Sequence, residues 1–376
     1  GTMVLPFLSK YLKEDLHFTY SQVGWIMVSF GCGSIIGSWL GGKLSDKIGF
    51  YKIMIFSLLT SGFAFFGLQF ITSFEGLLIA MFLIMTVADM FRPAMFVSLG
   101  AYAKPENRTR ALTLVRLAIN LGFAAGPALG GLLIMSVGYK GLFWVDGASC
   151  ILAILIFWIK VKEKKKSKFT DKEHPGEVLT HSVFKDTPFW IFLTGTLITG
   201  ILFFQLFTTI PLYHKEQFNL SEFQTGLLLT LNGILVFFLE MPIVSYIEKH
   251  KINKLKVITY GCLAMAISIY LLLVNNWAGI LIIMMIFMTF AEMFAFPFSN
   301  SFAMSRAPKG HEGRYMAIFT MSYSLAHILS AKTGMEIIDR FSYQTNWFFM
   351  GTLGVIGVLL FIWTKKLVAK EPSKNL

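Results

Sequence analysis

The fold of this chain is decided by a short polar stretch, Gly42-Lys43-Leu44-Ser45-Asp46-Lys47-Ile48-Gly49-Phe50-Tyr51-Lys52. Apolar runs flank it on both sides, at about residues 22–42 and 53–73. Each run reaches the roughly 20 residues with which an α-helix crosses the hydrocarbon core of a bilayer. Glycine allows a tight turn and close helix packing, and Asp46 can cap a neighbouring helix N-terminus. The stretch therefore predicts two membrane helices joined by a tight basic loop.

The same alternation continues through the whole chain. Nine further apolar runs bring the number of full spans to eleven: 76–99, 111–136, 141–160, 188–212, 224–247, 255–274, 277–303, 314–337 and 346–364. The stretch from Gly1 to about Leu12 is apolar but too short to cross, and we expect it to be the outer half of a twelfth, truncated helix. Only 14% of the residues are charged, roughly half of what soluble domains carry. The sequence thus predicts an all-α integral membrane protein with twelve transmembrane helices.

The cations indicate the orientation in the membrane. Of 33 Lys and Arg residues, 25 fall in alternate loops and the C-terminal tail, and five fall on the opposite side. Cytoplasmic loops carry such an excess, so we expect a multi-pass protein of the cell membrane with its linker and C-terminus in the cytoplasm. The net charge of +12 is accounted for by topology, and the sequence gives no reason to expect a nucleic-acid partner.

An internal repeat divides the chain in two. The segment Met85-Thr86-Val87-Ala88-Asp89-Met90-Phe91 matches Met288-Thr289-Phe290-Ala291-Glu292-Met293-Phe294, with five identities and an acid at the same place. The longest polar stretch, 161–187, lies between the two copies. We therefore predict two pseudo-symmetric six-helix bundles, 1–160 and 188–366, with a cytoplasmic linker at 161–187 and a cytoplasmic tail at 367–376. Duplicated bundles that rock around a midplane site are typical of secondary transporters.

The loop that opens this section resembles a signature of the major facilitator superfamily, G-x-L-x-D-(R/K)-x-G-x-x-(R/K). Every fixed position is filled, by Gly42, Leu44, Asp46, Lys47, Gly49 and Lys52. The resemblance, together with the six-plus-six layout, covers nearly the whole chain. It implies that these residues form a gating and structural element needed for conformational cycling, and that they do not contact the substrate.

A second pattern resembles the antiporter motif of the drug:proton antiporter branch of that family, G-x-x-x-G-P-x-x-G-G. Its positions are Gly122, Gly126, Pro127, Gly130 and Gly131. Small residues on one face let two helix backbones approach closely, and the proline supplies a kink. The longer form of the motif has a further glycine where Thr113 stands here. The alternative is an ordinary glycine-rich packing face, which is common in membrane helices.

Ionisable residues inside a membrane are expensive and are functional candidates by default. Asp89 and Glu292 both fall near the middle of their spans. Arg92, three residues after Asp89, can share a helix face with it and hold it ionised, whereas Ala295 replaces this arginine in the second half. We therefore predict that Glu292 carries the proton, with Asp89 as a second proton-coupling candidate. The alternatives are a protonated glutamate that joins helices and an ion pair that fixes helix rotation.

Several further residues are predicted to serve this cavity. His327 lies within the eleventh helix and can relay protons near neutral pH, although a packed histidine is the plainer interpretation. Lys332 and Glu336 are spaced to pair with each other. Arg92, Arg116 and Asn120 can bind an anionic group or satisfy a carboxylate, and we add them to the substrate cavity with Met288 and Phe296.

Together these features favour a proton-coupled secondary active transporter, an efflux antiporter for small amphipathic compounds that works by alternating access. The alternatives are a proton-coupled symporter importing an anionic nutrient or metabolite, and a membrane sensor without transport activity. No catalytic motif, metal-ligand spacing or nucleotide-binding loop is present in the sequence. We therefore expect no enzymatic activity, no cofactor and no metal. The expected partners are a small-molecule substrate, protons and the lipid bilayer, and the chain is expected to be a monomer.

Overall fold

The computed structural model describes residues 3–102, 108–163, 183–274, 276–308 and 312–371. These ranges are helical and contain no β-strand. Ten segments within them are long and apolar enough to cross a membrane. The prediction of an all-α integral membrane fold is thereby confirmed.

The first compact unit comprises the described residues of Gly1–Lys172 together with Asn219–Thr230. Two π-helical turns, Tyr11–Asp15 and Ser45–Gly49, follow its first and second helices. Its helices are α1 (Leu5–Lys10), α2 (Tyr20–Leu44), α3 (Phe50–Leu68), α4 (Phe74–Ala88), α5 (Phe91–Tyr102), α6 (Arg108–Val137) and α7 (Tyr139–Lys160). Within this unit α2 packs against α4, and α3 packs against α7.

The second compact unit comprises the described residues of Glu173–Phe218 and Leu231–Leu376. It contains α8 (Thr187–Phe204), α9 (Ile210–Phe218), α10 (Glu222–Lys249), α11 (Lys254–Leu271), α12 (Ile280–Arg306), α13 (Glu312–Arg340) and α14 (Tyr343–Lys370). Helix α10 begins in the first unit and continues in the second. In the second unit α11 packs on α12 and α14, and α8 packs on α13 and α14.

Helix starts follow local capping chemistry. The Thr19 hydroxyl accepts the backbone N–H of Gln22 at 3.2 Å, and the Gln22 side chain accepts the N–H of Thr19 at 3.0 Å. This reciprocal pair satisfies two amide groups that α2 leaves free at its first turn. Ser73, Asp186, Asn253 and Ser342 cap α4, α8, α11 and α14 with single hydrogen bonds.

Large apolar side chains lie on the outside of these helices. Trp39, Phe63 and Ile159 are 62%, 60% and 76% exposed, whereas Thr196 and Gln205 are fully buried. Exposed apolar surface on this scale marks an interaction surface, and for helices of this length and hydropathy the natural neighbour is lipid. The apolar exterior is therefore part of how the helices fit a bilayer.

Two spans that the sequence predicts as continuous are interrupted. The span 76–99 splits into α4 and α5 at Asp89–Met90, and the span 188–212 splits into α8 and α9 at residues 205–209. Proline explains both breaks, because its ring clashes with the carbonyl four residues earlier and supplies no N–H. Pro93 acts in this way on Asp89, and Pro211 acts on Phe207.

The span 314–337 corresponds to α13, which at 29 residues is as long as the membrane-crossing helices. It is less apolar and is not among the ten segments that satisfy a hydropathy criterion. Charged residues near its end, Lys332, Glu336 and Arg340, lower its average hydropathy.

Candidate ion- and substrate-binding sites

Glu292 lies in the middle of α12, and its carboxylate contacts α10. Asn232 on α10 donates its side-chain N–H to Glu292 Oε2 at 3.1 Å and to Thr289 Oγ1 at 3.0 Å. Thr289 in turn donates its hydroxyl to the backbone carbonyl of Met285 at 2.7 Å. The amide of Asn232 therefore holds one carboxylate oxygen of Glu292 in place, and the chain of hydrogen bonds ends on the helix backbone.

A second acid lies near this carboxylate. Glu240 is on α10, two turns after Asn232, and is buried. Its carboxylate interacts repulsively with that of Glu292. Two negative charges in a medium of low dielectric constant are costly, and a bound proton or cation relieves that cost. The Glu292 carboxylate is thus suited to taking up and releasing positive charge.

An aromatic cluster follows Glu292 along α12. The ring of Phe296 stands perpendicular to that of Phe203 on α8, with centroids 4.7 Å apart. The ring of Tyr323 on α13 lies 5.5 Å from Phe296, also edge to face. Such pairs present apolar faces with a negative quadrupole, so the region beside Glu292 is suited to a flat apolar or cationic group.

His327 lies one turn after Tyr323 on α13. Its ring is buried and stands edge-on to Phe204, with centroids 4.8 Å apart. His327 therefore packs against α8 at Phe204, the residue that follows Phe203. A proton-relay role for His327 stays a prediction.

Met288 and Lys332 have other neighbours. Met288 is fully buried, with its sulfur 3.9 Å from the hydroxyl of Ser268, so it packs between α11 and α12. Lys332 pairs with Glu336 at 2.6 Å, and Arg340 pairs with the same carboxylate at 2.6 Å. The predicted pairing of Lys332 with Glu336 is confirmed.

Asp89 occupies the turn between α4 and α5 in the first unit. The hydroxyl of Ser34 on α2 donates a hydrogen bond to its carboxylate. Arg92 is exposed, and its charge attracts the Asp89 carboxylate. The hydrogen-bond partner of Asp89 is thus Ser34, which the sequence did not pair with it.

Three glycines on α2 bring its backbone against α4 around this turn. A Cβ atom at Gly33 would overlap the carbonyl of Phe82, one at Gly37 would overlap the carbonyl of Thr86, and one at Gly41 would lie 2.5 Å from that of Met90. The spacing of four residues places all three on one helix face, as in membrane helix pairs built on small residues. Because the backbones touch, Ser34 can reach Asp89.

The loop predicted to gate transport contains a turn that only glycine adopts readily. Gly49 has a φ of +107°, a left-handed conformation that costs other residues energy. A Cβ atom at Gly42 meets nothing within 4 Å, Leu44 is half-buried, and Lys47 and Lys52 are exposed. The side chain of Asp46 lies outside what the structure describes, and its gating role stays a prediction.

The glycine-proline motif of α6 contacts the beginning of α10 within the first unit. A Cβ atom at Gly131 would overlap the carbonyl of Glu222, and one at Gly226 would overlap that of Pro127. Gly130 faces Met3 and Phe7. The close approach that the motif predicts is therefore present for Pro127, Gly130 and Gly131. Gly122 and Gly126 precede them on α6.

The remaining cavity candidates are on the same helix. Asn120 is half-buried on α6, and the side chain of Arg116 lies outside the described part of the chain. Their roles in binding an anionic group stay predictions.

Sequence reasoning missed the polar partners. Ser34 precedes Asp89 by 55 residues, and Asn232 precedes Glu292 by 60 residues. Ser34 lies on α2 and Asn232 lies on α10, and each reaches the acid of one copy of the repeat. The two spacings differ by five residues, so the internal repeat does not predict one partner from the other.

Two ion-pair clusters were also missed. Lys10 is fully buried and binds Glu222 at 2.9 Å. Arg306 at the end of α12 binds Asp186 at 2.8 Å and Glu371 at 2.5 Å, and the Tyr315 hydroxyl donates to Asp186 at 3.0 Å. The partners lie more than 60 residues apart along the chain, too far for helical spacing rules to pair them.

The sequence profile of the Major Facilitator Superfamily matches residues 1–331. The chain belongs to this superfamily. It is similar to a Na(+), Li(+), K(+)/H(+) antiporter of Planococcus maritimus, with 23% identity over all of this chain and 94% of that protein. It is also similar to the quinolone resistance protein NorA of Staphylococcus aureus, with 25% identity over all of this chain and 95% of that protein.

Solved transporter structures share the fold at lower identity. A mutant of the peptide transporter POT in complex with sulfate superposes with a TM-score of 0.82 and 13% identity, over 98% of this chain and 91% of its own. A bacterial homologue of the lysosomal transporter Spinster gives 0.80 and 11%, over 100% of this chain and 95% of its own. These structures share the fold, and the superfamily match identifies the protein as a multi-pass membrane transporter of the major facilitator superfamily.

Proposed function

We propose that the protein is a proton-coupled antiporter that exports small amphipathic compounds, with Glu292 as the residue that exchanges protons. The observation that carries the proposal is the position of Glu292 within α12, bonded to Asn232 at 3.1 Å and repelled by Glu240. An acid held among apolar residues and beside a second acid changes its charge when its surroundings change. The names of the relatives, an ion/proton antiporter and a quinolone resistance protein, support antiport and efflux.

The coupling follows from competition for Glu292. A proton on Glu292 favours its desolvated state, and an amphipathic cation that rests on Phe296, Phe203 and Tyr323 favours the ionised state. Alternating exposure to the two sides of the membrane then exchanges one for the other. Because a one-for-one exchange of a proton for a monovalent cation moves no net charge, the pH gradient drives it, and each pH unit contributes about 1.4 kcal/mol, enough to concentrate the exported cation about tenfold.

The test uses the full chain in proteoliposomes with a lipophilic fluorescent cation as substrate. We expect uptake into vesicles with an acidic lumen, collapse of that uptake by a protonophore, and its loss in Glu292→Gln. The same variant should still bind the substrate, because the glutamine keeps the shape of the side chain and a hydrogen-bond acceptor. Glu336→Gln is the matched control, since it removes a carboxylate that pairs with Lys332 and Arg340.

Proton-driven uptake that survives Glu292→Gln unchanged contradicts the assignment. Loss of uptake in both glutamine variants indicates general damage and also contradicts a specific role for Glu292.

A symporter of anionic nutrients is the second candidate, and the exposure of Arg92 beside Asp89 favours it. A positive side chain inside a membrane is retained where it binds an anion or a carboxylate. Vesicles with an acidic exterior should then accumulate an organic anion, and Arg92→Gln should abolish that accumulation. The direction of the proton gradient that drives uptake therefore separates the two functions.

We infer further that two six-helix bundles move against each other, that the linker and the C-terminus face the cytoplasm, and that the working unit is a monomer. Lys370→Cys and Lys140→Cys place a thiol at exposed positions that the charge bias assigns to opposite sides. In intact cells an impermeant thiol reagent should label the cysteine at 140 and spare the one at 370. The reverse pattern would overturn the orientation, and a dimer by mass photometry would overturn the monomer.

A further inference from the structure

The break between α4 and α5 releases backbone carbonyls at Asp89. Pro93 has no N–H to give to the carbonyl of Asp89, four residues earlier. The N–H of Met90 binds the carbonyl of Val87 at 3.3 Å, so it is diverted from the carbonyl of Thr86, which it would bind in a continuous α-helix. The helical ladder therefore leaves the carbonyls of Thr86 and Asp89 without its own donors.

The carbonyls at this break have different neighbours. The hydroxyl of Ser57 on α3 donates to the carbonyls of Val87 at 2.6 Å and Ala88 at 3.1 Å. The carbonyl of Thr86 instead lies against the bare backbone of Gly37 on α2. Ser34 is one turn before Gly37 and bonds the Asp89 carboxylate. One face of α2 thus meets both the carboxylate and the Thr86 carbonyl.

The backbone and the side chain at this place both carry negative charge. Asp89 ends α4, and the C-terminal end of a helix carries a partial negative charge that repels a carboxylate and attracts cations. Ser34 supplies a neutral hydrogen bond, and the charge of the exposed Arg92 also attracts the carboxylate. Broken membrane helices use such released carbonyls and C-terminal ends to bind Na⁺ or protons.

We propose that the Asp89 carboxylate, the Ser34 hydroxyl and the Thr86 carbonyl form a binding site for a monovalent alkali cation, Na⁺ or Li⁺. Hard cations prefer oxygen ligands, and all three groups supply oxygen. A single carboxylate balances a single positive charge, which a site of low dielectric constant requires. The site goes beyond the proposed function, because proton exchange at Glu292 does not need it.

The experiment measures equilibrium binding of ²²Na⁺ to the purified full-length chain in nanodiscs, with choline chloride keeping the ionic strength constant. We expect saturable binding that excess LiCl displaces, and a higher thermal stability in NaCl than in choline chloride. Loss of a charged oxygen ligand should weaken binding at least about tenfold in Asp89→Asn, and Ser34→Ala should weaken it about threefold to tenfold.

Glu292→Gln is the matched control and should bind ²²Na⁺ as the unaltered chain does while losing proton-driven export. This keeps the two proposals separable, because failure of export leaves the Na⁺ result standing. Absence of saturable Na⁺ binding to the unaltered chain overturns the site. Binding that is unchanged in a folded Asp89→Asn also overturns it, and if that variant does not fold, unchanged binding in Ser34→Ala has the same consequence.

Discussion

The two copies of the internal repeat differ in the local backbone conformation around their acid. Met85–Phe91 contains a helix end, and Asp89 forms the turn there with the hydroxyl of Ser34 as partner. Met288–Phe294 lies within the unbroken helix α12, and Glu292 takes the amide of Asn232. The local sequences are nearly the same, yet one acid lies at a break between two helices and the other lies within a single helix.

A shift of one residue accounts for part of this difference. Pro93 comes four residues after Asp89, whereas Pro297 comes five residues after Glu292. The carbonyl deprived of its donor is therefore that of the acid itself in the first copy, and that of Met293 in the second. The two copies of the repeat thus carry acids at related positions, and the position of the proline decides whether the deprived carbonyl belongs to the acid or to the residue after it.

The largest expected effect concerns the geometry at Glu292. Glu292→Asp withdraws the carboxylate by one methylene and breaks its 3.1 Å bond to Asn232, so proton-driven export should fall about tenfold or more. Asn232→Gln lengthens the partner, and the double variant should regain much of the lost rate through positive coupling. Initial export rates in proteoliposomes measure both effects. Simple addition of the two losses would show that the hydrogen bond has no part in transport.

Substitution of a glycine that packs α2 against the Asp89 turn should have the next largest effect, on stability. A Cβ atom at Gly41 would lie 2.5 Å from the carbonyl oxygen and 2.6 Å from the Cα atom of Met90, whereas one at Gly42 meets open space. We expect Gly41→Ala to destabilise the protein by about 2 kcal/mol through overpacking. Gly42→Ala should be neutral or stabilising by up to about 1 kcal/mol, because alanine favours helix. Thermal unfolding in detergent measures the contrast between these neighbouring variants.

In the second unit, a Cβ atom at Gly261 on α11 would lie 2.8 Å from the backbone nitrogen of Ala295. We expect Gly261→Ala to lower stability as well, since α11 also needs backbone contact with its partner helix.

Equal melting temperatures for the Gly41 and Gly42 variants would show that α2 can move away from the Asp89 turn without loss of stability.

The fold and the acids could be predicted from sequence because their signals are strong. Apolar runs of about 20 residues report membrane helices, and charges such as Asp89 and Glu292 are rare inside them. Neutral partners carry no comparable signal, since Thr196 and Thr199 also lie within an apolar helix and simply bond their own backbone. Only the rotation of each helix decides that Ser34 and Asn232 face an acid. The breaks were missed because hydropathy was weighed and the position of the prolines was not.

Substitution of Pro93 and of Pro297 should have smaller effects and compares the two copies of the repeat directly. Pro93→Ala returns an N–H to the carbonyl of Asp89, so we expect α4 and α5 to join and the melting temperature to rise. Na⁺ binding should weaken in this variant because the released carbonyls are taken up again. Pro297→Ala is the matched control and should leave Na⁺ binding unchanged. Equal Na⁺ affinity in both variants would separate the break from the cation site.

The smallest expected effect concerns Ser57, which supports the break in the first copy and lies one turn from Ser61 on α3. Ser57 donates to two carbonyls of α4, whereas Ser61 donates only to Leu58 within its own helix. Both serines are buried. Ser57→Ala should cost about 0.6 kcal/mol, as hydrogen bonds between membrane helices do on average, and Ser61→Ala should cost less. If the two variants unfold at the same temperature, the carbonyls at the break are satisfied without Ser57, and the turn at Asp89 is maintained by Pro93 and the glycines of α2 alone.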